Sequence, residues 1–143
     1  RRHANDRKDK IIAKKEEVLA KFLSSVNLIL LNQNTYKIYM NAYMNLLKDP
    51  EKNKDNIQYC KSMASQLYKK YIFSEEPYEV ACILAQLEFP QVATEIGQFK
   101  LGIDEYIKQT CDGEDVHYPI LYDRYEDLAR KMTKLMSGIR SKK

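Results

Sequence analysis

Apolar side chains recur at steps of three and four residues along nearly the whole chain, and that spacing is the strongest constraint on its fold. Ile12, Leu19, Leu23, Val26 and Leu30 fall on one helical face, and Tyr36, Tyr39, Met40, Tyr43, Met44 and Leu47 on another. Near the end, Tyr122, Tyr125, Ala129, Met132, Met136 and Ile139 repeat it, with Leu128 and Leu135 widening the stripe. Only four Gly and four Pro occur in 143 residues, too few for the turns of an all-β fold. The expected fold class is therefore all-α, a compact multi-helix bundle closed around one interior.

Turn signals divide the pattern into about six helices. The first is expected from near Arg7 to Leu31, with a break at Asn32-Gln33-Asn34, because Asn competes for local backbone hydrogen bonds. The second ends at Lys48-Asp49-Pro50, since Pro50 disfavours helical geometry in the residue before it. A polar loop spans 50–56, and a third helix runs from Asn56 to Phe73. Ser74 reads as an N-cap with Pro77 in the first turn of a fourth helix through Leu87. Pro90 opens a fifth, bent at Gly97 and Gly102, and Cys111 to Tyr118 is an acidic loop. The last helix begins near Pro119. Residues 1–22 are expected to be a basic helical extension, and 23–143 a single helical domain.

Charge is segregated. Residues 1–22 hold eight basic against four acidic residues, and 130–143 hold six basic and none acidic. The 107 residues between them are net −6. Basic ends suit an acidic partner, RNA or a membrane surface, although charge runs are most often simply solvated. A nucleic-acid binder more often carries its Lys and Arg on one face of the folded body. Cys60, Cys82 and Cys111 are odd in number and lack Cys-x-x-Cys spacing, so free thiols in a reducing, cytoplasmic setting are expected. The longest apolar stretch, around Val26 to Leu31, is too short to span a bilayer. No signal peptide is visible, and a start on a polar basic run without Met suggests a piece cut from a longer protein.

Catalytic machinery is not expected. Nucleophilic catalysis needs a nucleophile, a base and an orienting group converging on one point. Of two histidines, His3 lies in the basic tail and His117 in a loop beside Asp115, where an ordinary surface histidine is the simpler reading. Metal ligands at helical spacing are missing, Asp112, Glu114 and Asp115 lack the order of a calcium loop, and no Gly-rich phosphate loop occurs. Neither a cofactor nor a metal is expected. Eleven Tyr and no Trp is unusual. Rows at 36, 39 and 43, at 68 and 71, and at 122 and 125 read either as a stacking or partner surface or as half-buried rings at helix contacts.

One segment carries a family resemblance. Ala64-Ser65-Gln66-Leu67-Tyr68-Lys69-Lys70-Tyr71-Ile72-Phe73, followed by Ser74-Glu75-Glu76-Pro77-Tyr78-Glu79-Val80, resembles the middle of a regulator of G-protein signalling (RGS) domain, whose pattern is A-x-x-I-Y-x-x-F-I, three residues, then A-P-x-E-V-N-I. Tyr118-Pro119-Ile120-Leu121 with Tyr125-Glu126-Asp127-Leu128 is similar to the family's Y-P-R-F-L and F-Y-x-D-L, and Gln33-Asn34 is weakly similar to its E-E-N element. The resemblance implies a bundle of about nine short helices and a partner surface at Asn34, Glu79, Val80, Ala81, Tyr118 and Ile120. Family members that accelerate GTP hydrolysis hold the Gα switch regions in the transition-state arrangement and contribute an Asn, a positioning mode of catalysis. Ala81 stands where that Asn is expected and Ile120 where an Arg is, so the resemblance implies a degenerate, non-enzymatic scaffold with a protein partner. The competing readings are a nucleic-acid-associated module using the basic ends and Tyr rows, and a subunit whose stripe of Met132, Leu135, Met136 and Ile139 docks a partner helix.

Overall fold

The computed structural model describes residues 2–111 and 118–141, with side chains for 3–108 and 120–141. The expected acidic loop, with His117, lies outside the described residues, as do the side chains of Cys111 and Tyr118. The described residues form four α-helices, α1 (Arg2–Leu46), α2 (Lys54–Glu88), α3 (Ala93–Cys111) and α4 (Tyr118–Ser141), with a 3-10 turn at Pro90–Val92. The all-α bundle is what the periodicity requires.

The helix count differs from the expectation of six, for a physical reason at each join. α1 passes through Asn32-Gln33-Asn34 without a break. Gln33 is buried there, and Thr35 Oγ1 donates to Leu31 O at 2.9 Å, satisfying the hydroxyl inside the helix. α2 likewise passes through Ser74 and Pro77. Ser74 is no N-cap: its hydroxyl donates back to Lys70 O (2.9 Å) and Tyr71 O (3.0 Å). Pro77 removes one backbone donor and costs about 3 kcal/mol in a helix interior. Burial of Tyr78, Ala81, Cys82 and Ala85 just beyond it offsets that cost. α3 is a single helix whose glycines allow close approach: a Cβ on Gly97 would lie 3.1 Å from Gln86 Nε2, and one on Gly102 would lie 3.3 Å from Leu121 Cδ2.

At 1.5 Å per residue, α1 is about 67 Å long, α2 about 52 Å, and α3 and α4 about 28 and 36 Å. α1 and α2 pair antiparallel, turning at 47–53, where Asn53 Nδ2 donates to Leu46 O at 3.2 Å. The two shorter helices cover only the half of this hairpin away from the turn. There Ile12, Leu19, Phe22, Val26 and Leu30 of α1 meet Tyr78, Cys82 and Ala85 of α2, Ile96, Ile103 and Tyr106 of α3, and Leu128, Met132 and Met136 of α4. The expected division at residue 22 therefore falls inside a buried helix, because Ile12, Val18, Leu19 and Phe22 belong to the core. Lys15 ties the start of α1 to the end of α2, donating to Glu88 O and standing 5.4 Å over the Phe89 ring. Tyr125 Oη donates to Leu23 O at 3.0 Å and fixes α4 on α1.

Candidate functional site

Toward the turn the hairpin runs on as an arm of residues 31–73; among the described residues α3 meets its base, where Asp104 and Ile107 lie beside Tyr71 and Glu75. Two helices alone bury little: Cys60, Ala64 and Leu67 are buried on α2, while Tyr36, Tyr39, Met40 and Tyr43 of α1 are only half-buried. Tyr39 and Tyr59 meet edge to face at 6.1 Å. Leu31, Ile38, Met44, Tyr59, Tyr68, Ile72 and Phe73 are exposed, Phe73 at 83%. The bundle exposes large apolar side chains as well, among them Ile83, Leu87 and Leu101, so it is the groove between the arm's helices, not exposure alone, that marks a candidate site.

A groove of about 410 Å³ runs between the arm's two helices, lined by Tyr36, Met40 and Tyr43 from α1 and by Lys61, Ala64, Ser65 and Tyr68 from α2. Its position follows from helical register. Lys61, Tyr68, Glu75 and Cys82 are seven residues apart, as are Ser65, Ile72, Glu79 and Gln86, so both rows lie along one side of α2. α3 occupies that same side further along. Gln86 Nε2 donates to Ala93 O at 3.1 Å, Lys100 pairs with Glu79 at 3.0 Å, and Asp104 and Ile107 come beside Tyr71 and Glu75. The seat that α3 fills thus continues past the end of α3 as the open groove of the arm.

Charge changes sign at the same place. From 74 to 88, α2 carries Glu75, Glu76, Glu79 and Glu88 and no base; from 56 to 73 it carries Lys61, Lys69 and Lys70 and no acid. The α1 side of the arm, 31–46, adds Lys37 and again no acid. At the acidic end α3 supplies the complement: hydrogen bonds to Asp104 and Glu79 raise the Lys100 ammonium pKa above its ordinary value although burial works to lower it. Burial pushes the Cys82 thiol up to about 12 and the Tyr78 hydroxyl far above its usual range, so both are neutral interior groups.

The residues singled out by the resemblance differ in exposure. Asn34 is half-buried at the base of the arm, Glu79 is paired with Lys100, and Val80 is exposed. Ala81 is buried in the helix packing, so no partner reaches the position where the family has its Asn. Ile120 is exposed in the first turn of α4. Three consecutive residues on one helix point about 100° apart and cannot share a face. Of the α4 stripe, Met132 and Met136 are buried in the bundle, while Leu135 and Ile139 are half-buried and line a second groove of about 530 Å³ beside Val92. At the termini, Arg140 pairs with Glu16 at 2.6 Å, and Lys14 and Lys15 lie 3.5 Å from Glu88. Those basic residues are partly neutralised within the fold.

Among the described residues no three His, Cys, Asp or Glu side chains gather as a metal site, and no helix is long and apolar enough to cross a membrane. No family model, curated protein or solved structure matches this chain.

Proposed function

We propose that this protein is a non-enzymatic protein-interaction module, with a four-helix bundle as its anchor and the projecting hairpin arm as its binding element. The observation that carries the reading is the open groove of the arm. It is apolar, lined by Tyr and Met, and it prolongs a seat that already receives a helix elsewhere in the same molecule. Helix-in-groove docking is a common way for such surfaces to be used. Exposed Tyr and Met supply contact area that repacks readily around a partner.

The test is a pair of surface variants. An arm variant (Tyr68→Glu with Phe73→Glu) and a bundle-surface variant (Glu126→Lys) each replace the native copy, and co-purified proteins are quantified. The reading expects at least a tenfold loss of specific partners with the arm variant and none with the other; equal recovery from both contradicts it.

The finer reading, an RGS-like scaffold that leaves Gα GTP hydrolysis unaccelerated, rests on the sequence resemblance alone. Single-turnover hydrolysis by Gα subunits is expected to be unchanged by this protein, and a tenfold rise would reverse that expectation.

A further inference from the structure

The occupant of the groove is marked by its continuity with the α3 seat and by its charge. We infer that the arm binds an acidic amphipathic helix of about two turns or more, presented by a partner protein and lying in line with α3; the inference rests on the interaction-module reading above. The length follows from the groove. Its lining runs from Lys61 to Tyr68 on α2, seven residue steps or about 10 Å, which a helix of roughly eight residues covers. The mode of packing is set by precedent within the molecule, since α3 lies antiparallel to α2 on the same side and buries Ile96, Ile103 and Ile107 as it does so. The apolar face of the incoming helix would take the place of that row against Tyr36, Met40, Tyr43, Ala64 and Tyr68.

Charge selects among occupants. Where α2 is acidic, the helix seated on it answers with Lys100. Where α2 is basic, Lys61 lines the groove and Lys69 stands one turn along from Ser65, so the complementary helix carries Glu or Asp on its flanks. A second copy of the arm fits poorly by the same reasoning: both shafts, 31–46 and 56–73, hold lysine and no acid, so two arms side by side repel. The groove floor is apolar and the Tyr68 ring is packed against Tyr71, whereas a single-stranded nucleic acid would call for a basic track with rings free to stack.

The experiment uses the full chain and two labelled fourteen-residue probe peptides. Both have Leu or Met at every third or fourth position; one carries Glu at its polar positions and the other Lys. Fluorescence anisotropy is expected to show saturable 1:1 binding of the acidic peptide and at least tenfold weaker binding of the basic one. Lys61→Glu with Ser65→Glu, at two exposed positions, is expected to lower affinity for the acidic peptide at least tenfold and to raise it for the basic one, with the helical circular dichroism and melting curve unchanged. Equal affinity for the two peptides, or no effect of the double substitution, overturns the acidic-helix inference. If the Tyr68→Glu, Phe73→Glu variant still loses its native partners in that case, the module reading survives alone. A twenty-nucleotide single-stranded RNA that binds the arm more tightly than the acidic peptide and loses affinity steeply with salt also overturns it. So does sedimentation showing a dimer that the double substitution abolishes.

Discussion

The bundle and the arm are made from the same two helices, yet they differ in almost every physical respect. In the bundle each helix has neighbours on more than one side, and Leu30, Ile96, Ile103 and Met132 are wholly excluded from solvent. Burial of each such side chain contributes about 1.5–3 kcal/mol. In the arm α1 and α2 have mainly each other, and the buried apolar set shrinks to Cys60, Ala64 and Leu67. Ion pairs such as Lys100–Glu79, Lys131–Glu95 and Arg140–Glu16 knit the bundle, while the arm shafts hold lysines without acids. A helix hairpin becomes a folded domain where further helices close its open side, and stays a two-helix pair with an open groove where they stop.

The thiols give the widest contrast. With Cys111→Ser to remove the third thiol, Cys60 in the arm is expected to react with a disulfide reagent on the order of a hundredfold faster than Cys82, which needs opening of the bundle. Similar rates would mean that arm and bundle open as one unit. Raising the pH sharpens this. The Cys82 thiol is held at about 12 when folded against an ordinary 9, so between those values only the unfolded form ionises and global stability falls as pH rises.

Side-chain truncation comes next. Ile103→Ala should destabilise by about 3–4 kcal/mol, and Leu67→Ala by nearer 2, because the arm site can relax toward solvent. Denaturant melts measure both, and equal costs would break the distinction. Pro77→Ala restores a backbone donor in an exposed turn of α2 and should stabilise by about 1–2 kcal/mol after the unfolded-state entropy is counted. A loss of stability would mean that the proline sets a bend the fold needs. Tyr125→Phe removes the hydroxyl that joins α4 to Leu23 O and should cost about 1 kcal/mol. Arg140→Ala, at an exposed ion pair, should cost less than about 0.5 kcal/mol.

The helical class and the buried stripes of α1 and α4 were legible in the sequence, because period-3.6 burial is written residue by residue. Helix ends were less so. Asn32–Asn34 and Ser74–Pro77 carry local turn preferences of a few kcal/mol at most, and a hairpin that packs along its whole length overrides them. The groove was hidden for another reason: it lies between two helices that run on past the part of α3 packed beside Tyr71, and that is a tertiary fact. Two signals did point to it. α2 changes charge sign at Ser74, and Lys61, Tyr68 and Glu75 continue one seven-residue register across that change. Of the surface implied by the family resemblance, Glu79, Val80 and Ala81 lie on one continuous helix, where neighbours in sequence diverge in direction.

Residue-resolved amide hydrogen exchange, with and without the acidic probe peptide, tests the division most directly. The account expects residues 31–73 to exchange well before the buried stretches of the bundle in the free chain, and to gain protection at 36–43 and 61–72 when the peptide is added. Arm amides already as protected as those of the bundle, or a peptide effect confined to the bundle, would contradict it.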